Sequence, residues 1–211
     1  HLKISGEGLP IIMLHGWTSS HQEWFPFLAT LNRHHRIYRW DARSHGGHKL
    51  LTTTAPTVER MAADFRNLLD HFHLNQVCAV GHSMGALTLW QYIQDHGCAK
   101  LSKVCFIDQS PKLLTDASWE HGIYGDFPAE RAQSFAASLA GDFAEGVLRL
   151  TAFGLNERAR QKYEQNAPGW EKSRAMLRAQ NPDPLIRCWE SLTAADYRSV
   201  LEQIRIPAML V

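Results

Sequence analysis

Residues 76–91 read QVCAVGHSMGALTLWQ, a β-rich apolar run that passes into a helical pattern through Gly81, His82, Ser83, Met84 and Gly85. A chain that turns this abruptly from strand to helix holds its middle residue in a strained conformation, and the flanking glycines let neighbouring backbone approach closely. That requirement suits a buried parallel strand followed by a crossover helix. The neighbouring sequence repeats the rhythm. IIMLHG (11–16) is a continuous apolar run ending in glycine, RIYRWD (36–41) is another strand, and KVCFID (103–108) a further one. Residues 21–31 read as a helix with Trp24, Phe25, Phe27, Leu28 and Leu31 on one side. In 57–72, Val58, Met61, Phe65, Leu68, Leu69 and Phe72 recur at three and four spacing, behind Pro56 and a Thr57 cap. Regular alternation of this kind predicts βαβ units, hence an α/β fold with a mostly parallel central sheet and helices on both faces.

The alternation stops at Gln109. From there to about residue 200 the pattern is helical only, over 129–140, 143–150, 156–165, 171–179 and 185–192, punctuated by Pro128, Gly141, Gly154, Pro168, Gly169, Pro182 and Pro184. Strand character resumes at 206–211. A helical stretch inserted between two strands of a sheet reads as a cap. The expected organisation is a sheet core from 1–108 and 201–211, with a helical cap at 109–200.

Charge narrows the function. Twenty-two Lys plus Arg balance 21 Asp plus Glu, for a net charge of +1, which argues against a nucleic-acid partner. No apolar run approaches the ~18 residues of a membrane span, and the first residues do not form a signal segment, so a cytoplasmic protein is expected. Cys78, Cys98, Cys105 and Cys188 form no CxxC pair, and no metal site is expected. Cys78 and Cys105 lie in apolar runs, where a thiol serves as a small hydrophobe.

The chemistry gathers at Ser83. On a strand-to-helix turn it stands at the carboxyl end of the sheet, above the partial positive charge of the next helix. Acyl chemistry there also needs two backbone N–H groups aimed at the developing oxyanion. Met84, directly after the serine, supplies one, and Trp17, in the loop HGWTSS (15–20) after the first strand, supplies the other.

With HGWTSS, WDARSHG (40–46) and GHSMG (81–85) in this order and spacing, the chain resembles the α/β-hydrolase superfamily, and KVCFID, the helical insertion and IRIPAMLV extend the likeness over nearly all of it. The resemblance implies a nucleophilic Ser83 and no cofactor. Ser44 stands where that family usually has glycine; the segment is a structural turn, with Asp41 and Arg43 expected to pair. The family's usual order is serine, acid, histidine, the acid following the strand after the cap. Here that strand is IPAMLV, at the end of the 211 residues, so a longer chain carrying further terminal strands is expected. Some family members, haloalkane dehalogenases among them, place the acid where KVCFID ends, which makes Asp108 a candidate. The alternative for Asp108 is a turn cap on the N–H of Ser110 or Lys112.

The base is expected beyond residue 211. His82 should point away from the serine, His15 and His45 belong to structural turns, and His121 sits in the cap. The others, His21, His34, His35, His48, His71, His73 and His96, fall at solvated positions, and His1 is terminal. Trp119 and Tyr124, in WEHGIYGDF, are candidates for an apolar substrate pocket. The reading that results is a serine hydrolase of a small-molecule carboxylic ester. A cofactor-free dioxygenase or a perhydrolase of haloperoxidase type shares the fold, and a non-catalytic small-ligand receptor would need only the pocket.

Overall fold

The computed structural model describes residues 1–47 and 55–211; His48 lies outside the described residues. Six strands form one sheet: β1 (Leu2–Ser5), β2 (Leu9–Leu14), β3 (His35–Trp40), β4 (Val77–His82), β5 (Leu101–Ile107) and β6 (Ala208–Leu210). Their spatial order is β1-β3-β2-β4-β5-β6. β1 runs antiparallel to β3, pairing Leu2 with Trp40, and every other neighbouring pair is parallel. The mostly parallel sheet is as the sequence implies. β1 is an addition that the short polar stretch LKIS did not announce.

Strand periodicity divides the core into two faces. Ile12, Leu14, Tyr38, Trp40, Val77, Ala79, Val104 and Phe106 join one large cluster with α2 (Val58–His71) and α3 (Met84–His96). Ile11, Met13 and Ile37 point the other way, against Trp24, Leu28 and Leu31. The alternate residues Cys78 and Val80 of β4 pack on that second face, half-buried. All four cysteines are free thiols. The α2 pattern holds as read: Thr57 accepts the Arg60 N–H at 3.3 Å, and Val58, Met61, Phe65 and Leu69 are buried. On the far side of α2, Phe65 meets Tyr92 edge-on at 4.9 Å, and Trp90 of α3 stacks on Phe106 of β5 at 4.7 Å.

Three local expectations are corrected. The helix expected at 21–31 is a 3-10 turn (His21–Trp24) followed by α1 (Phe25–Leu31), which carries Pro26 in its first turn. Its apolar residues do not share one face: Trp24 is buried, whereas Phe25 and Phe27 are 53% and 52% exposed. Asp41 and Arg43 do not pair with each other. Arg43 forks onto Asp64 of α2 through Nε and Nη2, both at 2.6 Å. The buried Asp41 carboxylate instead accepts the His21 N–H at 2.7 Å and meets His21 Nδ1 at 2.9 Å, so His21 is held rather than solvated. Ser44 has φ +65°, the left-handed conformation that glycine fills most easily.

Residues 109–200 contain α4 (Ala129–Gly141), α5 (Phe143–Ala152), α6 (Glu157–Glu164), α7 (Pro168–Arg178) and α8 (Pro182–Ala194), at the positions the periodicity predicts to within a few residues. Among the described residues only two isolated β-bridges, Lys112–Asp196 and Asp116–Trp119, interrupt this run. Leu139, Phe143, Leu177, Leu185 and Leu192 belong to the same apolar cluster as the sheet, so the helical layer and the sheet share one core. The Ser191 hydroxyl of α8 accepts the Val58 N–H at 2.9 Å, tying that layer to the first turn of α2.

Burial decides which aromatic residues matter for stability. Phe65→Ala, at a fully buried site, is expected to cost about 3–5 kcal/mol. Phe27→Ala, at a half-exposed one, should cost less than about 1 kcal/mol. Urea unfolding of both variants checks the contrast.

Candidate functional site

Ser83 sits between β4 and α3 with φ 49° and ψ −112°, outside the conformations an ordinary side chain prefers. The turn is tight enough to exclude side chains on either flank. A methyl at Gly81 would lie 2.5 Å from the Gly85 carbonyl, and one at Gly85 would lie 2.2 Å from the Leu14 carbonyl oxygen of β2. Both obstacles are backbone and cannot rotate away. The Ser83 N–H donates to Ile107 O at 2.9 Å, fixing the serine against the end of β5. Met84 opens α3, so its N–H lies in the helix's first, unpaired turn.

The loop after β2 lies against this turn. A methyl at Gly16 would come within 3.5 Å of Ser83 Cβ. Among the described residues, neither Trp17 nor Met84 has an acceptor for its backbone N–H. Trp17 directly follows Gly16 and Met84 directly follows Ser83, so each of these unspent donors is next in sequence to one side of that contact.

Two histidine arrangements hold the loop. His15 is fully buried: its Nε2 accepts the Ala42 N–H at 3.0 Å, so Nδ1 carries the proton and donates to Gly16 O at 2.7 Å. His45 packs 5.3 Å from it and donates from Nδ1 to Arg43 O at 2.9 Å. Burial pushes both imidazoles down, His45 to about 3, so both are neutral and structural at physiological pH. The second arrangement is next to Ser83. Glu23 bonds His82 Nδ1 through Oε1 at 2.9 Å and accepts the Gly16 N–H through Oε2 at 3.2 Å. His82 thus faces Glu23, as its place in the turn implied. Burial alone would lower the His82 imidazole, yet the Glu23 hydrogen bond and charge, aided by Asp108, raise it above its ordinary value. Burial likewise opposes ionisation of Glu23, but His82, Ser19 and the Gly16 N–H bring its carboxyl below the usual range.

Asp108 directly follows the residue that accepts the Ser83 N–H, in a left-handed conformation with φ +48°. Its side chain is exposed and forms no hydrogen bond or ion pair among the described residues. The turn-cap alternative is not what the structure shows, since Gln109 Oε1 takes the Ser110 N–H at 2.8 Å. Gln109 also directs its Nε2 at Ser83 Oγ, 3.4 Å away. No histidine among the described residues hydrogen-bonds Ser83 Oγ, and His121 is exposed beside Glu120. The two aromatic candidates part company. Trp119 lies in a surface turn, its Nε1–H on Lys112 O at 3.0 Å and the Arg198 guanidinium over its ring at 5.5 Å. Tyr124 donates from its hydroxyl to Leu150 O at 2.7 Å and lines a cavity of about 500 Å³ with Phe127, Phe135, Arg149, Leu150 and Phe153. Burial, then the Asp108 charge, raises the Tyr124 phenol. Ser83, Trp17 and Asp108 are not among that cavity's lining residues. No group of three or more His, Cys, Asp or Glu among the described residues is placed to hold a metal ion.

Glu23 and Gln109 had no sequence signal. Each sits outside the motifs and reaches the serine turn only through the fold.

Replacing Glu23 by Gln should destabilise the protein by about 1–2 kcal/mol. His82, raised when folded, contributes below its ordinary value of 6.5, and its share fades as pH rises through the folded value. Glu23, lowered when folded, contributes above its ordinary value of 4.5, and its share is lost as pH falls through the folded value. The difference between variant and wild type should therefore be greatest between pH 4.5 and 6.5 and shrink on both sides, which urea titrations across pH measure.

The model of the alpha/beta hydrolase family matches residues 11–211. Non-heme chloroperoxidase CPO-A1 of Kitasatospora aureofaciens is 24% identical over 98% of this chain and 74% of its own length. Pimeloyl-[acyl-carrier protein] methyl ester esterase of Vibrio cholerae is 26% identical over 98% of this chain and 76% of its own. Among solved structures, an esterase from Exiguobacterium antarcticum superposes with a TM-score of 0.82 at 19% identity, covering 100% of this chain and 75% of that one. A bromoperoxidase from Bacillus anthracis superposes with a TM-score of 0.84 at 21% identity, over 99% and 75%.

Proposed function

Because the chain belongs to the alpha/beta hydrolase family, we propose that it is a serine hydrolase that cleaves a small carboxylic ester through an acyl-enzyme on Ser83. The observation that carries this reading is the strained Ser83 packed against the loop at Gly16, with the neighbouring Trp17 and Met84 N–H groups lacking an acceptor among the described residues. Ser83 Oγ attacks the ester carbonyl, and its proton passes to a histidine base outside the described residues. The carbonyl oxygen, now negative, rests on the Trp17 and Met84 N–H groups. Collapse expels the alcohol, which takes the proton from the base. Water then attacks the acyl carbon, gives its proton to the same base, and releases the acid and free Ser83.

Asp108 is the carboxylate in this reading that orients the base. Its carboxylate is exposed and forms no hydrogen bond or ion pair among the described residues, and Asp108 directly follows the residue that pins the Ser83 N–H. Gln109 Nε2, donating to Ser83 Oγ, orients the hydroxyl before substrate arrives. Residues 109–200 act as a cap, and Tyr124, on the lining of the 500 Å³ cavity, is its candidate substrate contact. Trp119 has no such role, since its indole is spent on a surface turn.

In the full-length protein, Ser83→Ala should lower ester turnover by something on the order of 10⁶ and abolish labelling by a fluorophosphonate. Turnover within tenfold of wild type would exclude Ser83 as nucleophile. A wild type that takes no label would point to a ligand receptor.

A second reading has support in names. The relatives include the chloroperoxidase above and a non-heme haloperoxidase of Rhodococcus erythropolis. The same acyl-enzyme attacked by hydrogen peroxide in place of water would release a peracid. If that route is used, adding peroxide to the enzyme, an acyl donor and bromide should produce Ser83-dependent halogenation. Its absence while ester hydrolysis persists would leave water as the nucleophile.

A further inference from the structure

The residues that supply both candidate oxyanion donors rest their side chains on one helix of the 109–200 layer. The Trp17 indole Nε1–H donates to Leu185 O of α8 at 2.9 Å. Its ring lies 4.8 Å from Trp189, one turn further along α8, and meets Phe143 of α5 edge-on at 5.8 Å. The carbonyl of the next loop residue, Thr18, accepts from Gln180 Nε2 at 3.1 Å, just before α8 begins. On the other side of the serine, the Met84 thioether contacts Cys188 Sγ of α8 at 3.7 Å, and both side chains are completely buried.

Thr18 has φ +64°, a conformation a threonine does not hold by itself. Something must impose it, and the constraints are visible. Glu23 holds the Gly16 N–H from the sheet side, while Gln180, Leu185 and Trp189 hold Thr18 and Trp17 from the helical side. The loop is thus fixed at both ends, and half of its fixing comes from outside the sheet.

We infer that α8 and its lead-in residue Gln180 set the spacing of the oxyanion site, with Trp189 and Gln180 as positioning residues. Neither touches the reacting atoms. They act by placing the Trp17 N–H opposite that of Met84, whose side chain the same helix seats. Oxyanion stabilisation depends on donors within a narrow range of the developing charge, and a displacement of about 1 Å can cost on the order of 100-fold in rate. A helix that contacts both donor residues makes the alignment of the site depend on how the helical layer sits on the sheet. A substrate that wedges that layer away should then bind without reacting well, and one that lets α8 stay seated should be turned over. This rests on the hydrolase reading above, but its geometric half does not.

The test uses full-length Trp189→Leu and the milder Gln180→Ala, with Trp170→Leu as a control in the helical layer away from the loop. For a small ester, kcat should fall about tenfold or more in the first two while KM stays within about threefold, since the donors act on the oxyanion and not on ground-state substrate. Hydrogen exchange at the Gly16 and Ser19 amides, both bonded in the loop, should accelerate about tenfold in those variants and not in the control. Unchanged exchange together with unchanged kcat in both variants overturns the inference. So does a rise in KM alone, which would make α8 a substrate-binding surface. If the wild type takes no fluorophosphonate label, the hydrolase reading fails, and the exchange result still decides whether α8 holds the loop.

Discussion

The site depends on one steric constraint, the contact of Gly85 with the Leu14 carbonyl at a distance no side chain permits. That contact lets the start of α3 sit directly against the end of β2, which is why Ser83 and the loop at Gly16 come to face each other. Strain at Ser83, with φ 49° and ψ −112°, is the consequence. It is sustained because the serine N–H is tied to Ile107, the helix behind it is buried along most of its length, and β4 is paired on both sides. Local strain of this kind costs on the order of 1–3 kcal/mol and persists only where the surroundings over-determine it.

Around that contact the polar groups are arranged to hold backbone. His15 bridges Gly16 and Ala42 and, being neutral, does so without burying a charge. Asp41 holds the start of the 3-10 turn His21–Trp24 through the His21 N–H. Arg43 reaches across to Asp64 and joins the loop after β3 to α2. Each of these links the carboxyl end of a strand to a neighbouring element. The strand ends are where the sheet itself no longer supplies hydrogen bonds, so side chains replace the ladder exactly where the ligand-binding edge of such a sheet lies.

The sheet and the serine turn were legible because their signals are local. Apolar runs ending in glycine, three-and-four spacing in 57–72 and GHSMG between strand and helix need no knowledge of distant residues. The five helices of 109–200 were legible for the same reason. What escaped was set by contacts between elements. Arg43 pairs with Asp64 of α2, while the Asp41 carboxylate is taken by His21. Phe25 and Phe27 read as core from their type, but on the short α1 both lie half-exposed while Trp24, just before it, is buried. Trp119 and Tyr124 were equivalent aromatic residues in sequence. Partners at Lys112 and Arg198 hold the first in a surface turn, while Leu150 places the second on a cavity wall.

Trp17 shows how the two kinds of signal combine. In the proposed reading its backbone N–H is a donor whatever its side chain, since an amide serves regardless of residue type. The indole is then free to do something else, and in this fold it reaches 168 residues along the chain to Leu185. A smaller residue would leave the same N–H and lose the connection. The tryptophan side chain is therefore accounted for by its contacts in the helical layer. The same logic applies at Met84, whose N–H lies at the helix start while its side chain is buried against Cys188. Each residue is next in sequence to one side of the Gly16–Ser83 contact and sends its side chain to α8, so this region is built where the sheet and the helical layer meet, and its geometry belongs to neither alone.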